Sequence, residues 1–276
     1  MKRFGFGFLY VFVFASFTVL LAQGSSNELQ KQKMFDGEKL VYDGKLTWKL
    51  RLTFSVAELT FIATNEPNTN NLIVKADAVS KGTLLSIARY SFLQHITSTI
   101  DADTFRILKT VKRDVQKERI RESEAIFDYK DKLVTYVETD PKDKMRAPRR
   151  IASEITALTQ DMVSAIYYLR TQQLAIGKRL EIQVSDSGLV YKVPVVVTAR
   201  EQQKSSLGKL WCWRIEPEIF GMGRLIERKG KMVIWMTDDA RHVPVRSQIN
   251  SEYGKIDIKL KSYSKPVTGS GEGVSK

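Results

Sequence analysis

The side chains best suited to chemistry fall in two stretches. One carries Asp161, Tyr168 and Arg170; the other runs from Lys231 to Arg246 and carries Trp235, Asp238, Asp239 and Arg241. Carboxylates set beside a guanidinium in a cleft can work as general acid and base. The same residue types also serve as a helix cap, a turn and an ion pair. No activated partner accompanies these aspartates in the sequence, so the structural reading is preferred and no catalytic residue is assigned. Taken as a binding set, the candidates are Trp48, Asp161, Tyr168, Arg170, Trp235, Asp238, Asp239 and Arg241.

Other chemistries are disfavoured by residue type. His95 and His242 stand far apart with no second ligand at metal spacing, so no metal is expected. Gly221-Met222-Gly223 is too short to cradle a phosphate, and no Gly-x-Ser-x-Gly elbow occurs. No cofactor is predicted. Cys212, the single cysteine, lies between Trp211 and Trp213 and reads as a small buried hydrophobe rather than a nucleophile.

The elements around these residues read mainly as strands. Met232, Ile234 and Met236 alternate with Val233 and Trp235, so both faces are apolar, as in a strand covered on both sides. Thr237-Asp238-Asp239 favours a turn, and a second extended run starts at Val243. From Asp161 to Leu174 a helix is expected, capped by Thr159 or Asp161, with Met162, Ala165, Ile166 and Leu169 on one side and a stop near Gly177. If it packs beside the Trp235 corner, a bidentate Arg–carboxylate pair would fasten it to the sheet.

Leu46 to Val56 alternates without a fault and reads as one long strand. Its apolar face is Leu46, Trp48, Leu50, Leu52, Phe54 and Val56. A bulge is expected at Ala57-Glu58, and a hairpin turn at Asn65-Glu66-Pro67-Asn68 leads into Leu72 to Val79. Residues 83–96 fit helix and strand equally. Further strands are read at 105–111, 120–129, 133–137, 180–184, 189–198, 210–215, 224–228, 243–251 and 255–260. The fold class is therefore mainly β: a strongly curved antiparallel sheet or open half-barrel, with one main helix packed against its concave face.

Composition sets the compartment. Lys2 and Arg3 precede an uncharged run from Phe4 to Ala22, the pattern of an export signal over residues 1–22, with an uncleaved anchor as the alternative. Residues 23–34 read as a flexible leader, 35–263 as a single β-rich domain and 264–276 as a disordered tail. One cysteine in an exported chain implies the bacterial periplasm rather than a disulfide scaffold. The formal charge of +13 includes a basic segment from Lys142 to Arg150, read as part of a loop over 140–153. In that compartment its partners would be a membrane surface or an anionic envelope glycan, not nucleic acid.

Three motifs resemble the bacterial exported family known as domain of unknown function 3108. They are Gly37-Glu38-Lys39-Leu40 with Tyr42, the run Asp161-Met162-Val163-Ser164-Ala165-Ile166-Tyr167-Tyr168-Leu169-Arg170, and Ile234-Trp235-Met236-Thr237-Asp238-Asp239 with Arg241, Pro244 and Val245. Met162 stands where the family often has proline. The resemblance implies an exported protein with a layout like that of curved-sheet lipid or lipoprotein carriers, and no reaction. The expected role is non-catalytic binding of a lipid-like or apolar envelope molecule, or of an envelope partner. The competing roles are a hydrolase working at Asp161, Asp238, Asp239 and Arg241, and a structural adaptor.

Overall fold

The computed structural model describes residues 34–48, 52–82, 91–252 and 254–265. The expected export signal, the leader up to residue 33, the chain after 265 and residues 83–90 lie outside that set. The described chain forms one sheet of fifteen strands and one helix. Among the described residues no helix is long and apolar enough to cross a membrane.

The strands form two meanders. The first contains β1 (Glu38–Thr47), β2 (Thr53–Asn65), β3 (Asn71–Ser80), β4 (Phe92–Asp101), β5 (Ile107–Gln116), β6 (Arg119–Asp128), β7 (Leu133–Thr139) and β8 (Arg149–Glu154). A two-residue strand, β9 (Thr159–Gln160), leads into helix α1 (Met162–Arg170). The second meander contains β10 (Arg179–Asp186), β11 (Leu189–Ser205), β12 (Gly208–Pro217), β13 (Gly230–Thr237), β14 (Pro244–Ser251) and β15 (Gly254–Ser264). β1 pairs with β15, so the sheet runs β8 to β1, then β15 down to β9. Every pairing is antiparallel except that of β9 with β10.

Connectivity forces the curl. Laid flat, fifteen strands would hold the edge strands about 65–70 Å apart. Those edges, β8 and β9, are joined by only four residues, 155–158, a link that reaches about 18 Å at most. The sheet therefore wraps nearly full circle. It stays open because no backbone ladder joins β8 to β9. Side chains bridge the gap instead: Ser153 Oγ donates to the Gly188 carbonyl at 2.7 Å, and Gln183 Oε1 accepts from the Thr156 amide at 2.7 Å. The β10–β11 hairpin tip fits there because Ser187 and Gly188 both take positive φ, 51° and 80°. A Cβ on Gly188 would lie 2.6 Å from that of Tyr136.

Helix α1 lies inside the curl. Val163 and Tyr167 join the core made by the first meander, with Val74, Ile100, Ile107 and Val134. Leu169 joins the core made by the second, with Val195, Ile215, Ile234 and Met236. One short helix can touch both halves only if the sheet encloses it. The expectation of a curved, open sheet around a single main helix is thus met.

Four local readings need correction. Leu46 to Val56 is a hairpin, not one strand: β1 ends at Thr47, β2 begins at Thr53, and the Trp48 amide bonds the Leu52 carbonyl at 3.0 Å. The alternation survives because cross-strand partners such as Leu46 and Phe54 share parity, so the pattern passes through the turn unbroken. The expected bulge is present, with Val56 as the extra residue between the Lys45–Ser55 and Gly44–Ala57 pairs. The loop read over 140–153 is shorter, because Arg149 and Arg150 begin edge strand β8. Residues 224–228 are not a strand and make only an isolated bridge, Phe220 to Ile226. The helix stops at Arg170, with Thr171 as its C-cap: the Thr171 and Gln172 amides donate to the Tyr168 and Leu169 carbonyls, three residues back, at 3.0 and 3.2 Å, a tightened last turn.

Candidate functional site

A cross-strand row crosses the concave face of the first meander. It runs Ala63, Val74, Ser98, Thr110, Ala125 and Tyr136, each paired with the next. Ser98 and Thr110 interrupt an otherwise apolar row, and both donate to the Asp161 carboxylate, at 2.5 and 2.6 Å. The other carboxylate oxygen accepts the Val163 and Ser164 amides at 2.9 and 2.6 Å, and Ser164 Oγ closes a capping box with the Asp161 amide. Asp161 is thus a buried cap that also pins the helix N-terminus to β4 and β5. All its acceptor capacity is used.

The C-terminal end is pinned as firmly. Arg170 and Glu38, each with a side chain 1% exposed, form a bidentate pair, and the guanidinium lies over the Phe35 and Tyr167 rings at 4.6 and 5.1 Å. Arg170 Nε reaches the Arg241 carbonyl at 3.2 Å, and His242 Nδ1 meets the Arg170 carbonyl at 2.9 Å. Burial alone would lower the Arg170 pKa, but the hydrogen bonds it donates to Glu38 and the attraction of that carboxylate's charge together raise it. The fastening foreseen for the helix exists, with Glu38 of β1 as its carboxylate. Glu38 stands in the first of the three sequence motifs, but nothing local to it marks it as a buried partner.

The corner aspartates are engaged elsewhere. Asp239 receives Arg241 Nε at 3.0 Å and the Thr237 hydroxyl at 2.8 Å. Burial pushes its pKa up, but these bonds prevail and hold it below the usual range. Asp238 pairs with Arg200 at 2.5 Å. Asp161 caps one end of α1 while Arg241 meets the other, about 13 Å away along a nine-residue helix. The set Asp161, Asp238, Asp239 and Arg241 therefore does not share one cleft. Trp235 is buried, donates Nε1 to Glu201 and carries Arg246 over its ring at 4.9 Å. Tyr168 is half-buried against Phe105. Trp48 is 57% exposed at the β1–β2 turn and lines none of the interior cavities described below. Cys212 is buried, and desolvation pushes its thiol up to about 11, as expected of a packed residue.

Three cavities run along α1. One of about 260 Å³, with mixed walls, lies at the Asp161 end, lined by Ile96, Phe127 and Tyr136 as well as Gln94, Thr110 and Lys112. An apolar one of about 100 Å³ follows beside Met162, Ala165, Ile166 and Leu169. The third, about 180 Å³, is lined by Leu40, Leu59, Phe61, Ile166, Met232, Ile234 and Ile258 with Tyr42, Tyr167 and Ser247. Met162 and Leu225 are common to the first two, and Ile166, Met232 and Ile234 to the last two. The sequence patterns could not find this trench, because its walls are core-type residues of strands far apart in the chain. Among the described residues no group of three or more His, Cys, Asp or Glu could hold a metal ion.

The three motifs converge at this helix. Glu38 holds Arg170, Arg170 bonds the backbone of Arg241, and Tyr42 Oη donates to the Pro244 carbonyl at 2.8 Å. A family match to DUF3108, described as a protein of unknown function, covers residues 43–261. The chain belongs to the DUF3108 family. This DUF3108 chain is similar to a beta-barrel-like protein of domain of unknown function DUF1849 from Brucella abortus. The two share 12% identity over 85% of this chain and 99% of that one, with a TM-score of 0.57. That likeness is one of fold. An exported protein with a YmcC-like fold from Bacteroides fragilis aligns at 8% identity over 83% and 96% of the two chains, TM-score 0.37. An outer membrane lipoprotein-sorting protein domain from Vibrio parahaemolyticus aligns at 10% over 89% and 93%, TM-score 0.25. No curated protein matches the sequence.

Proposed function

We propose that this protein binds an apolar, lipid-like molecule of the bacterial envelope inside its curled sheet, without catalysing a reaction. One observation carries the reading: the apolar trench beside Ile166, Met232 and Ile234. Its origin is geometric. A nine-residue helix is about 13 Å long, whereas a ten-residue strand spans about 33 Å, so α1 cannot fill the interior that the strands enclose. The apolar side chains left over line a concave, apolar space, the usual character of a small-molecule site.

The periplasmic setting rests on the export-type pattern over residues 1–22. Contact with anionic lipid headgroups would fall to Lys144, Arg149 and Arg150, since Lys142 already pairs with Glu118 and Arg146 with Asp140. The hydrolase reading loses its support with the separation of Asp161 from Asp238 and Asp239.

The test is uptake of N-phenyl-1-naphthylamine, a neutral apolar fluorophore, by the exported chain and by Ile166→Trp, which fills the trench. Saturable uptake by the parent and its loss in a variant of unchanged circular dichroism is the expected result. Uptake that ignores the substitution, or none by the parent, ends the proposal.

A further inference from the structure

Because the meanders are runs of hairpins, alternate turns lie at the same rim of the curl. Register fixes which ones. Thr47 pairs with both Thr53 and Lys255, and Ser251 with both Gly254 and Gly230, so the β1–β2, β14–β15 and β12–β13 connections share one rim. Counting hairpins on from β1–β2, the β7–β8 connection, which follows the Glu138–Arg149 pair, stands at that rim too. Helix α1 lies across the opposite rim. Arg170 is held there by Glu38 at the start of β1 and by the Arg241 carbonyl in the β13–β14 turn, and Gln160, just before the helix, donates to the Phe105 carbonyl in the β4–β5 turn at 2.7 Å. The helix also packs on Ile100, Ile107 and Val134, each at or next to its strand's end on that side. The interior therefore opens at the first rim.

Three connections at the open rim present exposed apolar side chains. Met145, between β7 and β8, and Met222, between β12 and β13, are the most exposed large apolar residues among those described, at 95% and 99%. Trp48 and Leu52 at the β1–β2 turn are more than half exposed. Cations without a carboxylate partner among the described residues stand in the same connections or just after them: Lys144, Arg149 and Arg150 near Met145, and Lys229 beyond Met222. One exposed apolar side chain on a surface needs no explanation. Several on one rim, interspersed with free cations around an opening, have the make-up of an interfacial anchor, with apolar tips for the acyl boundary and cations for anionic headgroups. We infer that the open rim docks onto an anionic lipid bilayer through Met145, Met222, Trp48 and Leu52, so that the trench faces the membrane and α1 faces away from it. The docking gives the bound molecule a route into the trench, and in that respect it rests on the lipid-binding reading above.

The test is flotation of the exported chain with vesicles of phosphatidylethanolamine and phosphatidylglycerol, and with vesicles of phosphatidylcholine alone. The parent is compared with the double variant Met145→Asp, Met222→Asp and with Ile176→Asp, a change at another exposed apolar residue, in the segment that leads into β10 at the opposite rim. The parent is expected to float with the anionic vesicles and far less with the neutral ones. The double variant should lose about tenfold or more of that association, because two methionines no longer enter the interface. Ile176→Asp should float like the parent. Since all three side chains are exposed, circular dichroism and uptake of N-phenyl-1-naphthylamine without vesicles should match across the set. Equal association with both kinds of vesicle overturns the inference. So does no association, as a rim built for a protein partner would give, a double variant that floats like the parent, or an equal loss in Ile176→Asp. In those cases the lipid-binding reading stands on fluorophore uptake alone. A parent that floats as expected but takes up no fluorophore ends that reading and leaves the docking.

Discussion

Arg170 and Glu38, 132 residues apart, face each other in a bidentate pair with Nη1–Oε2 at 2.6 Å and Nη2–Oε1 at 2.7 Å. One stands on the last turn of the only helix among the described residues, the other at the start of β1. The pair fixes the helix to the strand that also closes the two meanders together through β15.

Breaking this pair from one side is predicted to be costly. Arg170→Met leaves Glu38 buried and unpaired, and Glu38→Leu does the same to Arg170, so each single change should cost about 3–5 kcal/mol. The double variant removes both charges and should recover most of that loss. Urea unfolding of the four proteins measures the coupling. Additive losses would show that the two residues act separately.

Asp161 is predicted to be structural. Asp161→Ala removes the helix cap, at about 0.5–2 kcal/mol, and leaves the Ser98 and Thr110 hydroxyls without their acceptor, at about 1–3 kcal/mol more. Asp161→Asn keeps an acceptor oxygen and should lose less. Fluorophore uptake by the asparagine variant should match the parent. A folded Asp161→Asn protein that loses uptake would assign the carboxylate to the ligand instead.

Acid should weaken the fold through Asp257. Burial pushes its pKa up, but the bonds from Arg246 and the charge of Lys259 outweigh this and set it below the ordinary 3.8. The unfolded chain therefore binds this proton first as pH falls. The stabilisation is complete above about pH 4 and disappears as pH drops through the lower, folded-state value. Asp257→Asn should flatten the acid limb of the unfolding midpoint against pH while leaving its slope near neutrality unchanged. An identical acid limb in the variant would refute this. Asp239, also lowered, contributes in the same direction, so the flattening is partial.

Much of the fold was legible because strand alternation and turn chemistry are local. Of the double-faced run Met232–Met236, Val233 to Met236 are buried on both sides as read and Met232 is half-buried, and the turn at Asp238-Asp239 and the hairpin at Ser187-Gly188 stand where their residues demand them. Alternation misled at Trp48, because a hairpin whose partners share parity looks the same as a continuous strand. It also failed for the helix end, which closes in a tightened turn at Thr171 rather than running on to Gly177.

The sequence by itself determined that the chain would form a strand-rich, curved sheet with one helix starting at Asp161, because periodicity and capping act over a few residues. It also supplied the helix and corner motifs that fall within the family match over residues 43–261. Only the tertiary structure decided that Arg170 would take Glu38 rather than Asp238 or Asp239, and that Ser98 and Thr110 would hold Asp161. Those pairings depend on which strands neighbour one another, and on how far a sheet must curl to bring β8 within four residues of β9. The same curl, around a helix too short to fill it, leaves the trench beside Ile166, a space that no residue pattern along the chain encodes.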